Sequence, residues 1–319
     1  MTRDGWTAAD MPRLDGQTVV VTGANSGLGY HATRAFAHSG AHVVMACRDL
    51  ERGEKARAEL GSNRPSGALE LQKLDLADLG SVRTFAETFE DVHDRLDILC
   101  NNAGVMAIPR SETEDGFETQ FGVNHLGHFA LTGLLLDQFT GDDARIVTQS
   151  SGVHEAGEIE FDDLQGEESY DEWGAYAQSK LANLLFAYEL QRRLDDAGIE
   201  TVRSVGCHPG YAATNLQHRG PEAKGSTARK VMMRVANAVV AQSAEWGALP
   251  MLYAATEDVD GGSYVGPDGL MNMRGHPAVQ ESSDRSYDEV SAGRLWSVSE
   301  ELTGVEYDFE ALAEIESSE

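Results

Sequence analysis

Short apolar runs alternate along the chain with longer stretches whose apolar residues recur every three to four positions. Residues 18–22 (TVVVT), 42–46 (HVVMA), 69–74, 98–100, 144–148 (ARIVT), 201–206 and 262–265 read as seven strands. Helical periodicity covers 28–38, 49–60, 81–89, 117–139 and 173–196. Strands this short and this apolar belong to a parallel sheet covered on both faces, since an exposed face would carry alternating polar residues. Strands alternating with helices give an α/β, doubly wound fold. Ligands of such sheets bind beyond the carboxyl ends of the strands. No repeat and no Pro/Gly/Ser-rich linker divides the chain. The expected organisation is an extension 1–14, one domain 15–280 and an acidic tail 281–319.

Charge narrows the partners. The 319 residues carry 53 acidic and 25 basic side chains, a net −28. Nucleic acid is excluded, because its phosphates are held by Lys and Arg. An anionic membrane surface is disfavoured for the same reason. Only five of the basic residues are Lys, a deficit that points to a halophilic setting in which salt screens the repulsion. The charge is uneven. Residues 155–172 hold nine acids and no Lys or Arg, and 281–319 are net −10. Cys47, Cys100 and Cys207 are too dispersed for a disulfide framework or a metal cluster, which fits a reduced, cytoplasmic protein. No apolar run reaches the ~20 residues of a membrane anchor, and the polar start is unlike a signal peptide.

The first strand runs directly into Gly23, Asn25, Ser26, Gly27, Leu28 and Gly29. Glycines at a strand-to-helix turn let the backbone approach a pyrophosphate, and the helix start offers free N–H groups. Tyr176 and Lys180 lie four apart on a helical stretch and share a face. A nearby ammonium favours the phenolate and is expected to lower the Tyr176 pKa toward the range where it exchanges a proton with a carbonyl or alcohol oxygen.

Four ordered motifs carry a family resemblance over about residues 15–270: TGANSGLG (22–29), NNAG (101–104), YAQSK (176–180) and HPG (208–210). Together they resemble the short-chain dehydrogenases/reductases. ACRD (46–49), SKLAN (179–183) and RLWSVS (294–299) resemble its retinol-dehydrogenase-like subgroup. The resemblance implies a Rossmann-type, NAD(P)(H)-dependent oxidoreductase acting on a small carbonyl or alcohol, with Tyr176 as general acid/base. It implies that Lys180 holds the nicotinamide ribose and that Ser151 orients the substrate oxygen, with Ser150 as its competitor. It assigns Asn124 to a water relay. It gives Asp75, Leu76, Asn102, Ala103, Gly104, Pro209, Gly210 and Thr214 to the cofactor.

The second strand ends in Cys47 and Arg48, where an acid would bind the ribose hydroxyl of NAD. A guanidinium there suits a 2′-phosphate, so NADP(H) is preferred, while Asp49 leaves NAD(H) open. No metal is expected, since His125 and His128 alone are an incomplete shell. The resemblance implies that residues 211–244 form the variable substrate loop; they hold five basic residues against one acid, and 231–236 read as an amphipathic helix. The long helices 117–139 and 173–196 resemble those that form homodimers or homotetramers in the family. Two other readings stay open: a carbon–carbon double-bond reductase of the same family and a non-enzymatic redox sensor.

Overall fold

A computed structural model describes residues 5–210 and 242–318. The apolar runs become β1 (Thr18–Thr22), β2 (His42–Cys47), β3 (Leu69–Lys73), β4 (Ile98–Asn101), β5 (Ala144–Gln149), β6 (Val202–Cys207) and β7 (Tyr264–Pro267). They form one sheet in the order β3-β2-β1-β4-β5-β6-β7, all parallel. An eighth strand, β8 (Pro277–Gln280), closes the edge antiparallel to β7. It is only four residues long and opens on Pro, so the sequence gives little sign of it. The order reverses between β1 and β4, and the crevice at that switch point lies at the carboxyl ends of the strands.

Helices cover both faces. They are α1 (Gly27–Ser39), α2 (Leu50–Ser62), α3 (Leu79–Glu90), α4 (Thr119–Phe121), α5 (Gly127–Leu134), α6 (Glu172–Asp196), α7 (Ala244–Gly247), α8 (Leu249–Thr256), α9 (Glu289–Thr303) and α10 (Phe309–Ser318). Aspartates start five of them. Asp49, Asp78, Asp171, Asp288 and Asp308 each accept from a backbone N–H of the first turn of α2, α3, α6, α9 and α10. Such a cap contributes about 1 kcal/mol. One core layer holds Phe85, Phe89, Phe129, Phe186 and Trp296, and the opposite layer holds Phe36, Met45, Met251 and Leu252.

Two expectations need correction. The single helix over 117–139 is broken into α4, a π-turn (Gly122–Leu126), α5 and a short 3₁₀ turn (Leu136–Gln138). Glu118 starts α4 by accepting from the N–H groups of Gln120 and Phe121, which excludes Phe117 from the helix. The π-turn inserts an extra residue and re-aims the side chains beyond it. The stretch 281–319 is not set apart as a tail. On α9, Ala292, Leu295, Trp296 and Ser299 are buried, at offsets of three, four and seven residues from the first. That is an apolar helical face, which the acid count conceals. Residues 231–236 and Thr214 lie outside the described residues. No described helix is long and apolar enough to cross a membrane.

Candidate active site

Two strand ends are tied together under the phosphate-binding turn. Thr22 Oγ1 accepts from the N–H groups of Asn102 and Ala103, each at 2.9 Å. Asn102 Nδ2 donates back to the Thr22 carbonyl at 2.7 Å. This brings the end of β1 and the NNAG stretch to one edge of the crevice. Gly23 has φ +68°, and a Cβ on Gly29 would come within 2.6 Å of the Gly23 carbonyl oxygen. A side chain at either place would spread the turn. Ser26 precedes α1 without a side-chain cap, so the first N–H groups of the helix keep their capacity for an anion.

The reacting end is built by β5 and α6. Lys180 Nζ donates to the Gln149 carbonyl at 3.0 Å, and Asn183 Nδ2 donates to the same oxygen at 2.9 Å. Ser150 Oγ donates to the Lys180 carbonyl at 2.7 Å and is buried. Ser151 is half-buried, and its hydroxyl acts on the Tyr176 phenol in the direction that favours the phenolate. The two serines are thereby separated: Ser150 joins strand to helix, while Ser151 faces the phenol.

Burial pushes the Tyr176 phenol up to about 12, and the Ser151 hydroxyl pulls against it. This corrects the expected lowering. Burial also pushes the Lys180 ammonium down to about 8. Its Nζ is 5.8 Å from the centre of the Tyr176 ring and is committed to Gln149. At neutral pH Tyr176 is therefore protonated and able to donate.

Asn124 sits in the π-turn and is fully buried. Its Oδ1 accepts from Val105 N–H, and its Nδ2 donates to the Val105 carbonyl and to Ser179 Oγ. Both amide protons are used, so the side chain clamps the NNAG loop to α6, and no N–H is left over for a relay water. Gly104 permits this contact, because a Cβ there would lie 2.9 Å from Asn124 Oδ1. His128 bonds Thr22 and the Asn124 carbonyl, while His125 bonds Ser299, so the two imidazoles face different partners.

One cavity of about 520 Å³ connects these parts. Gly23, Asn25, Ser26, Gly27 and Leu28 line its phosphate end, with Asp75 and Leu76 beside them. Asn102, Ala103, Gly104, Ser151, Tyr176, Lys180, Pro209 and Gly210 line the rest. Gly29 and Asn124 support the wall from behind. Arg48 lines the cavity where β2 ends, and so does Arg52, which sequence reasoning missed. Asp49 also borders it, but its carboxylate accepts from Arg52 N–H as the cap of α2. Cys47 is buried. Trp173 was also missed, although it lies three residues before Tyr176 on the same helix. Its indole meets the Tyr176 ring edge-on at 6.1 Å and is 53% exposed at the cavity.

A strand-to-helix turn with glycines at its points of closest approach, free N–H groups beyond it and a cavity running to a Ser–Tyr–Lys group fit a nicotinamide dinucleotide. The family profile described as short chain dehydrogenase matches residues 17–225. Human retinol dehydrogenase 13 is 42% identical over 300 residues, covering 92% of this chain and 86% of that protein. Mouse retinol dehydrogenase 12 is 39% identical over 299 residues, covering 93% and 89%. A crystal structure of an uncharacterized protein from Mycobacterium Paratuberculosis superposes with a TM-score of 0.79 at 44% identity, covering 95% of this chain and 99% of that one. The chain belongs to the short chain dehydrogenase family. It is a retinol-dehydrogenase-like, NAD(P)-dependent oxidoreductase.

Proposed function

We propose that the protein is an NADP(H)-preferring reductase of apolar aldehydes or ketones, working in reverse on the matching alcohols. The observation that carries this reading is the cavity that holds Ser151, Tyr176 and Lys180 at one end and Arg48 with Arg52 at the other. A bound nicotinamide supplies the hydride in reduction and accepts it in oxidation. Ser151 donates to the substrate oxygen and sets it beside Tyr176. The protonated phenol gives its proton to that oxygen as charge builds there. Lys180 holds the nicotinamide ribose and carries a positive charge below pH 8. Asn124 positions the NNAG loop. Trp173, Val153 and Met106 give the substrate side an apolar wall, which suits the kind of substrate named by the retinol dehydrogenase relatives.

Two guanidiniums favour a ribose 2′-phosphate, and the Asp49 carboxylate is occupied as a helix cap. Replacing Arg48 and Arg52 together with Ala is expected to raise the KM for NADPH roughly tenfold or more, the loss of charge-assisted bonds worth about 1.5–3 kcal/mol. The KM for NADH should stay near its original value. Equal effects on both cofactors would overturn the NADP assignment. A wild-type enzyme that binds NADPH but reduces nothing in a panel of aldehydes and ketones would overturn the carbonyl assignment. We further place the protein in the cytoplasm of a salt-adapted cell. Its three free, buried cysteines suit a reducing compartment, and its Lys deficit suits high salt.

A further inference from the structure

The opposite end of the sheet carries a second group of ligating side chains. His42 opens β2, Glu70 is the second residue of β3, and His93 follows α3. The register sets Val44 beside Glu70, so His42 and Glu70 stand on the same face of the sheet. His42 Nε2 lies 3.0 Å from Glu70 Oε2, and His93 Nε2 lies 3.2 Å from the same oxygen. All three donor atoms are within 4.8 Å of one another. Among the described residues no other group of His, Cys, Asp and Glu converges in this way.

The geometry points to a metal. Tetrahedral zinc with ligand bonds of about 2.0–2.2 Å separates neighbouring donor atoms by roughly 3.3–3.5 Å. The observed separations from Glu70 need to open by only a few tenths of an ångström. The two imidazoles cross at 81° with centroids 5.2 Å apart, so they approach the carboxylate from different directions. Phe89 packs on the His93 ring at 4.6 Å and holds its orientation. The His93 side chain is only 9% exposed, and its Nε2 approaches Glu70 Oε2 without a well-aligned hydrogen bond. A cation between the two atoms would satisfy both. His42 and Glu70 are 38% and 33% exposed, which gives an ion access and leaves room for water as a fourth ligand.

We propose that His42, Glu70 and His93 bind a divalent transition metal of the zinc class. Two imidazoles and one carboxylate select zinc or cobalt over calcium and magnesium, which prefer all-oxygen shells. The site joins β2, β3 and the segment after α3 at the amino ends of the strands. The cavity opens at their carboxyl ends and begins at Ala46, about 13 Å from His42 along β2 at roughly 3.3 Å per residue. The metal is therefore structural: it would tie three segments together without touching the reacting atoms.

Calorimetric titration of tag-free, metal-stripped full-length protein with zinc chloride tests this. Wild type should take up one equivalent. His42→Ala, His93→Ala and Glu70→Gln should each weaken uptake roughly tenfold or more, at least the loss caused by removing an outer-sphere partner. Cobalt added instead should give tetrahedral visible absorption that His42→Ala removes. NADPH turnover should stay unchanged in all three variants. Wild type that takes up no zinc, or that binds it no tighter than His42→Ala does, overturns the proposal, as zinc on surface carboxylates would produce the second result. His42 is exposed enough that its replacement decides the matter even if His93→Ala fails to fold.

Discussion

Tyr176 and Lys180 react from inside the protein, where water is scarce around both side chains. The spacing places both on one face of α6. It says nothing of burial, and burial is what raises the phenol to about 12 and lowers the ammonium to about 8. Replacing Tyr176 with Phe removes the proton donor while keeping the ring against Trp173. Turnover of an aldehyde with NADPH should fall about 10²–10⁴-fold, with cofactor binding intact by fluorescence titration. Retained turnover would remove Tyr176 from the mechanism. The choice between Ser150 and Ser151 likewise needed the fold, because only the packing of β5 on α6 shows which hydroxyl is spent on the Lys180 carbonyl. Buried histidines make a separate forecast. Burial pushes His125 down to about 3 and His128 and His208 down to about 4. The unfolded chain, with imidazoles near 6.5, then binds more protons than the folded one as pH drops below that value. Stability from these groups is complete above pH 6.5 and is lost as pH falls toward 4. Between pH 6.5 and 5.5, before carboxylates titrate, each should cost about 1 kcal/mol. Urea unfolding of wild type and His125→Gln at the two pH values measures it, and equal slopes in both proteins would contradict it.

The helices were legible in proportion to how cleanly their periodicity stood apart from other signals. α1, α2, α3 and α6 fall within a few residues of their expected bounds. The stretch 117–139 reads as one apolar helix because a π-turn preserves the helical pattern while adding a residue. What betrays the break is steric and long-range. A Cβ on Gly127 would meet the Leu76 carbonyl oxygen at 2.6 Å, and one on Gly122 would meet Thr113 Cγ2 at 2.6 Å. α9 is obscured for another reason: its acids interrupt the apolar spacing to which Trp296 belongs. That indole is 5.1 Å from Phe129 and 4.6 Å from Tyr307, with the Arg193 guanidinium over its face at 4.4 Å. Trp296→Ala should cost about 3–5 kcal/mol in chemical denaturation, as for other large aromatics removed from a core. A loss below 1 kcal/mol would mean that α9 is peripheral. The same packing bears on assembly. α9 lies on Leu181, Ala182 and Leu185 of α6, part of the surface the resemblance assigned to self-association. A dimer through that surface would have to displace it.

The whole chain carries a net charge of −28. Ion pairs such as Arg203 with Asp143 and Asp258 offset only part of it. Repulsion among the remaining carboxylates reaches about 10 Å in 0.1 M salt but only about 3 Å at 1 M. The melting temperature should therefore climb as potassium chloride rises from 0.1 to 2 M, and a flat curve would remove salt adaptation as the meaning of the Lys deficit. The sheet and its switch point were readable because seven strands announce themselves locally, whereas the coverage of the sheet depends on contacts between distant parts of the chain. The Tyr307 hydroxyl donates to the Phe129 carbonyl at 2.7 Å across 178 residues, and Arg83 donates to the Thr303 carbonyl at 2.9 Å across 220. These contacts set a timetable for biosynthesis. A ribosome releases the cofactor-binding half long before the residues that cap Phe129 and Phe186 have been translated. The nascent chain must wait with an aromatic surface uncovered, a state open to chaperones and to aggregation. A stop codon near residue 288 would make that waiting state permanent, so termination there should abolish soluble expression as thoroughly as a break in the first strand.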